Sequence, residues 1–184
     1  MRLADLQREY GERLVVEWRA YLLQPNVHVK PLDPFRNYTR RWALGPGALE
    51  PRTIFNVWGD SAPPTHSMPA AIAGKVAATF GPDAFDAFHL ELMRAYFTEN
   101  RTISELDVIV AVATTCGLDT ELFRARMRSL GPALHAEAIA DMEAGVELGV
   151  HGAPTVVING TLPIPGAQEL DSYRSMIDRI LART

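Results

Sequence analysis

Residues 149–160 read Gly149-Val150-His151-Gly152-Ala153-Pro154-Thr155-Val156-Val157-Ile158-Asn159-Gly160. Thr155 to Ile158 form a short, apolar, β-branched run, the composition of a strand buried on both faces. Asn159-Gly160 follows directly, and both residue types accept the positive φ of a two-residue hairpin turn. Thr161-Leu162-Pro163-Ile164 is then the return strand. Pro163 within it has no N–H to offer a further neighbour, so the strand lies at an edge. After Pro165-Gly166-Ala167-Gln168 a final helix places Leu170, Tyr173, Ile177, Ile180 and Leu181 on one face.

Upstream, the pattern predicts helices throughout residues 69–148. Ile72, Val76 and Phe80 recur at helical spacing until Gly81-Pro82, and Asp83 caps a second helix carrying Phe85, Phe88, Leu92 and Tyr96. Ser104 opens a third, with Asp107 in the capping-box position, and Gly117 closes it. Asp119 caps a fourth, ended by Gly131-Pro132, and a fifth runs from about residue 133 to 148 with Gly149 as its stop. The aromatic stripe of the second helix reads as core packing. Residues 24–69 are crowded with prolines and hold aromatics at positions 35, 38, 42, 55 and 58, the texture of a packed connection with only short helical pieces. Residues 14–22 alternate, with Val16, Trp18 and Leu22 on one side and Glu17 and Arg19 on the other, which predicts a strand broken by Pro25. Residues 2–10 form a helix stopped by Gly11. The sum is an α/β sheet interrupted by a helical insertion: residues 1–68 and 149–184 form one discontinuous domain, and residues 69–148 the insertion.

Composition narrows the function. With 184 residues, 47% hydrophobic and 22% charged, the chain has the balance of an ordinary globular protein, and a net charge of −4 gives no pull towards nucleic acid. No stretch approaches the roughly 20 apolar residues that cross a bilayer. The amphipathic start lacks the apolar core of a signal peptide, so the expected compartment is the cytoplasm. A single cysteine, Cys116, closes no internal disulfide and builds no multi-thiolate zinc site; the five histidines show no ligand spacing, so no metal is expected.

Taken together, the loop, strand and turn of residues 149–160 resemble those of the DsbA-like thioredoxin superfamily. The Pro165-Gly166-Ala167-Gln168 turn resembles that of its FrnE-like branch. The likeness extends through Phe88-His89-Leu90-Glu91-Leu92-Met93-Arg94-Ala95-Tyr96-Phe97, Cys116-Gly117-Leu118-Asp119 and Tyr10-Gly11-Glu12-Arg13-Leu14-Val15-Val16-Glu17-Trp18-Arg19-Ala20, and so covers nearly the whole chain. It implies a thioredoxin-like fold with an inserted all-helical subdomain, and a protein disulfide oxidoreductase or isomerase that needs no bound metal or nucleotide.

In that family a first strand leads to Cys-x-x-Cys at a helix amino terminus. There the unpaired N–H groups and helix dipole lower the first thiol's pKa, and the second cysteine resolves the mixed disulfide. Neither strand nor thiol pair lies in this sequence, so the resemblance implies a truncated chain whose redox motif precedes Met1. Cys116, at a helix end inside the insertion, is expected to be a small buried residue. Pro154 matches the family's cis proline, so Gly152, Ala153 and Pro154 are the expected substrate-binding shelf for an extended peptide or a protein thiol. His151 beside them lines that groove, partners the carboxyl end of the preceding helix, or is an exposed loop residue. Lys30, Arg36, Arg40, Arg41 and Arg52 are expected on a solvated loop surface.

Three functions stay open on the resemblance. One is the disulfide oxidoreductase itself. Another is a glutathione-dependent isomerase or transferase of the kappa or hydroxychromene-carboxylate isomerase type. The last is a non-catalytic peptide-binding module; a homodimer is compatible with any of them. The first strand of the family's fold would lie between residues 14–22 and 155–158. Its absence would leave buried N–H and C=O groups unpaired at about 1–3 kcal/mol each, so one of three outcomes is expected: an upstream extension, a strand from a partner chain, or direct pairing of the flanking strands.

Overall fold

The computed structural model describes residues 2–42, 44 and 54–183. α1 (Arg2–Tyr10) ends in a 3-10 turn (Gly11–Arg13), and α2 (Leu32–Thr39) lies in the proline-rich connection. α3 (Met68–Ala78), α4 (Pro82–Phe97), α5 (Leu106–Thr115) and α6 (Thr120–Glu147) follow as consecutive helices. β1 (Thr155–Ile158), β2 (Leu162–Pro165) and α7 (Leu170–Leu181) complete the order. The arrangement is an α/β one in which a single two-stranded sheet accompanies seven helices among the described residues.

β1 and β2 pair antiparallel from Thr155 with Pro165 to Ile158 with Leu162. Asn159 and Gly160 turn the chain with φ of 48° and 66°, but Thr161 lies with them between the paired Ile158 and Leu162, so the connection is one residue longer than the expected two-residue turn and the return strand starts one residue later. One face of the hairpin is covered by α1 and α7, through Leu6, Tyr10, Tyr173 and Ile177 packed on Ile164. Polar pairs fasten the same two helices: the Tyr10 hydroxyl donates to Asp178 Oδ1 at 2.7 Å, and Arg174 Nη2 donates to Glu9 Oε2 at 2.9 Å. The bond to Asp178, then burial, pushes the Tyr10 hydroxyl above the usual tyrosine range. Helices α3 to α6 share a core of their own, in which Val76, Phe88, Ile109, Val112 and Phe123 are fully buried.

Four helices, not five, span residues 69–148. Gly131-Pro132 ends no helix, because α6 runs through Pro132 without a break. A proline there forfeits its own hydrogen bond and crowds the preceding turn, at a cost of about 3 kcal/mol. Packing on both sides outweighs that cost: the first half of α6 buries Phe123 in the helical core, and the second half buries Ala138 with Ala20, Leu22 and Ala71. Two expected caps also shift. Asp83 lies in the first turn of α4 rather than capping it, and α5 starts at Leu106, leaving the Ser104 hydroxyl to accept from the Thr65 N–H at 3.1 Å. Asp119 does cap α6, accepting from the Leu122 N–H at 2.9 Å. The expected stripe on α4 divides: Phe88 and Leu92 enter the helical core, Phe85 turns to Trp18 and His89, and Tyr96 joins a second aromatic cluster with Trp42 and Trp58. Residues 45–53 of the proline-rich connection, Pro46 and Pro51 among them, lie outside the described residues.

The strand expected at residues 14–22 is not one. The alternation is there, with Leu14, Val16 and Trp18 half-buried, Ala20 and Leu22 buried, and Val15, Glu17 and Arg19 exposed. Among the described residues, however, the sheet is β1 and β2 alone. Direct pairing with β1 does not occur, and residues 2–13 supply no strand between them. Solvent can serve the exposed backbone groups, which avoids the penalty of about 1–3 kcal/mol for each buried unpaired group. Where the segment becomes buried, the Asp141 carboxylate accepts the Ala20 N–H at 3.1 Å in place of a ladder partner.

Candidate functional site

Gly149, at φ +80°, terminates α6 in the left-handed conformation that only glycine adopts cheaply. The chain then folds back, with the Val150 N–H donating to the Gly145 carbonyl at 2.9 Å and the Val150 side chain buried. Beyond it, the Ala153–Pro154 peptide bond is cis. Two bonds fix the loop: Thr155 Oγ1 donates to the Gly152 carbonyl at 2.7 Å, and the Gly166 N–H donates to the Pro154 carbonyl at 2.9 Å. A cavity of about 460 Å³ opens over the loop, lined by His151, Gly152, Ala153, Pro154, Pro163 and Pro165 among others. The structure thus brings the four expected site residues to one cavity. His151, Ala153 and Pro154 are exposed there, and Gly152 is half-buried.

What the site offers is backbone. Among the described residues neither the N–H nor the C=O of Ala153 has a partner. Pro163, Pro165 and Gly166 complete the cavity, although in the sequence they read only as an edge signal and a turn. Thr155→Val keeps the shape of the side chain and removes the bond to Gly152. It is expected to cost about 1 kcal/mol in urea unfolding and to speed amide exchange at Gly152 and Ala153.

Other residues singled out in the sequence lie elsewhere. Cys116 caps the carboxyl end of α5 against the helical core, and burial, with Glu91 adding to it, pushes its thiol above the usual range. Such a thiol is a poor nucleophile at neutral pH. The loop cations are not simply solvated: Arg36 donates to the Trp58 and Gly59 carbonyls at 3.1 and 3.0 Å and to Asp60 at 2.8 Å, while Lys30 reaches the Pro64 carbonyl at 2.5 Å. Arg40 and Arg41 are exposed, and Arg52 lies outside the described residues. Among the described residues no cluster of potential metal ligands occurs, and no helix is long and apolar enough to cross a membrane.

The profile of the DSBA-like thioredoxin domain matches residues 64–178. A curated relative, the ClpXP adapter protein SpxH of Bacillus subtilis (strain 168), is 26% identical over 133 residues, covering 68% of this chain and 44% of that protein. The chain therefore spans under half the length of that relative. Among solved structures, a candidate protein disulfide isomerase from Nitrosomonas europaea superposes with TM-score 0.79 at 16% identity, covering 99% of this chain and 89% of the other. The cytosolic disulfide reductase DsbM from Pseudomonas aeruginosa superposes with TM-score 0.73 at 19% identity, covering 100% and 91%. A second structure of DsbM, with GSH, gives the same TM-score over 98% and 91%. At these identities the superpositions establish the fold, and the profile, which covers more than half the chain, establishes its kinship: the chain belongs to the DSBA-like thioredoxin domain family.

Proposed function

We propose that this chain is the substrate-presenting scaffold of a thiol–disulfide oxidoreductase acting on protein thiols and disulfides. One observation carries the reading: Ala153 presents an unpaired N–H and C=O to a cavity of about 460 Å³, which is the geometry that takes an extended peptide by strand addition. With Cys116 the sole cysteine of the sequence, the redox pair is not among these 184 residues and must be brought to the site. In reduction of a bound disulfide, a thiolate of that pair attacks one substrate sulfur, a mixed disulfide forms, and a substrate thiolate leaves. The second thiol then displaces the other substrate sulfur, so the pair ends oxidised and the substrate carries two thiols. No bound cofactor enters this cycle, and the cytoplasm is the compartment that suits a reductase.

An extended peptide with one cysteine blocked as a mixed disulfide should bind the chain and shift the Ala153 amide resonance. Ala153→Pro, which deletes that N–H, should weaken binding about tenfold, the order expected for losing one well-made hydrogen bond of ~1.4 kcal/mol. Unchanged affinity in the variant would exclude this edge as the site. The chain alone is expected to reduce no disulfide above the uncatalysed rate, and Cys116→Ser is expected to behave identically in an insulin-reduction assay.

The glutathione-dependent reading has one observation in its favour, the structure of DsbM with GSH. Glutathione is a short peptide, and the same Ala153 edge would take its backbone. Saturable movement of the Ala153 amide on titration with glutathione, and none with a longer peptide, would select that reading over a protein substrate.

A further inference from the structure

The loop between Gly149 and Pro154 leaves a run of hydrogen-bond donors open. The Val150 N–H bonds back to Gly145, but among the described residues the backbone N–H groups of His151, Gly152 and Ala153 have no partner. The His151 imidazole is exposed and likewise unpaired. It is the one side chain in the wall of the cavity of about 460 Å³ that can carry charge. Pro154, Pro163 and Pro165 bring no donor, and the Thr155 hydroxyl is committed to the Gly152 carbonyl. With the Gly152 and Pro154 carbonyls occupied by Thr155 and Gly166, open donors outnumber open acceptors over residues 151–154.

Successive open N–H groups of a turn favour an anion, and an imidazole adds a further donor. A carboxylate suits such a set, because its two oxygens accept several hydrogen bonds and its charge strengthens each. Reach agrees with this. His151 lies two residues from Ala153, a span of about 7 Å at most. An extended peptide covers that span in two residues at roughly 3.3 Å each. A backbone seated at Ala153 therefore carries the residue two positions away to His151.

One feature acts against an anion. The carboxyl end of α6 precedes the loop, with Glu143 and Glu147 in its last two turns. Both side chains are exposed, and they line a different cavity with Met142 and Val146. Solvent and salt screen them at the loop, whereas hydrogen bonds made directly to the anion are screened far less. The gain from an acid over its amide is modest as a result.

We propose that residues 151–153 form a carboxylate site, and that the protein segments seated by their cysteine at Ala153 carry Asp or Glu two residues from that cysteine. The inference rests on the proposed peptide edge at Ala153 and adds the charge of what lies along it.

The test is an NMR titration of the full chain with three extended peptides. Each holds a central cysteine blocked as a methyl disulfide, and they differ only in bearing Asp, Asn or Lys two residues to either side. All three should move the Ala153 amide. The Asp peptide should in addition move the His151 and Gly152 amides and the imidazole ring. It should bind about five- to tenfold more tightly than the Asn peptide, with the Lys peptide weakest. His151→Ala, at an exposed side chain, should bring the Asp and Asn peptides to within about twofold of each other, and His151→Arg should restore the preference. Raising salt to about 0.5 M should shrink it.

Equal affinity of the three peptides, with the Ala153 amide still moving, would refute the carboxylate site and leave the proposed function standing. Glutathione also carries carboxylates: if it saturates the His151 and Gly152 amides while the Asp and Asn peptides bind equally, the acidic peptide is overturned as the occupant. No movement at Ala153 with any peptide would remove the edge and this inference together.

Discussion

Asp141→Ala is expected to lower stability by about 3–5 kcal/mol, the range for removing one partner from a buried ion pair. Asp141 and Lys75 are 2% and 9% exposed, with Lys75 Nζ at 2.6 Å from Asp141 Oδ2. The same carboxylate accepts from Arg19 at 3.0 Å and from the Ala20 N–H, so one side chain joins α3, α6 and the extended segment of residues 14–22. Deleting it leaves a buried ammonium held by the half-exposed Glu137 and a buried N–H held by nothing. Urea unfolding reads the effect as a fall of roughly 2 M in the midpoint for a slope of about 2 kcal/mol/M. Asp141→Asn retains an acceptor for Ala20 and should lose less. The double variant Asp141→Leu, Lys75→Met should recover most of the loss, because it removes both charges. A loss below about 1 kcal/mol for Asp141→Ala would place the cluster among ordinary surface pairs.

The cluster also sets a pH signature. Burial opposes the charge on Asp141, but the hydrogen bonds from Lys75, Ala20 and Arg19 outweigh it and hold the carboxyl below its usual range. For Lys75, burial again opposes the charge, and the bonds to Asp141 and Glu137 outweigh it and raise the ammonium above its usual range. A depressed acid stabilises the fold above its unfolded pKa and loses that contribution as pH falls through the folded value. A raised base stabilises below its unfolded pKa and loses its contribution as pH rises through the folded value. Stability from this pair is therefore level from about pH 5 to 9 and falls on both sides. In Asp141→Asn the acid limb from this group should vanish.

That cluster was not legible in the sequence, whereas the candidate site was. His151, Gly152, Ala153 and Pro154 are contiguous, bracketed by Gly149 and by Asn159-Gly160, and local turn chemistry alone brings them to one loop. Asp141 and Lys75 lie on different helices, and nothing in the spacing of either helix announces their meeting. The break expected at Gly131-Pro132 failed for a related reason. Proline rules are local, while α6 is kept continuous through that point by packing against two separate cores. Residues 14–22 teach a third limit. Alternation reports which side chains face inward, and here it did so correctly, but pairing needs a neighbour that alternation does not name.

Trp58→Ala should be as costly as Asp141→Ala yet act on a different part of the molecule. Trp58 is 1% exposed and meets Phe35 at 5.1 Å and Tyr96 at 5.4 Å between ring centroids, tilted or edge-on as aromatic pairs prefer. Its indole N–H donates to the Ser61 carbonyl at 2.7 Å, and its backbone N–H donates to Thr39 Oγ1 at 2.9 Å. Truncation opens a cavity the size of an indole, for which about 3–5 kcal/mol is the usual loss. This cluster is separate from the helical core, because it lies where α2 and residues 54–61 fold over the end of α4. Its loss should therefore appear as local opening rather than global unfolding. Hydrogen exchange should quicken in α2 and residues 54–61 while α3, α5 and α6 keep their protection, and Trp58→Phe should restore most of it by refilling the ring volume. A uniform rise in exchange across α3 and α6 would show instead that the connection and helices α3 to α6 form one cooperative unit. The candidate site on the Gly149–Pro154 loop shares no aromatic contact with Trp58, so peptide binding at Ala153 should survive the truncation in any condition where the helical core stays folded.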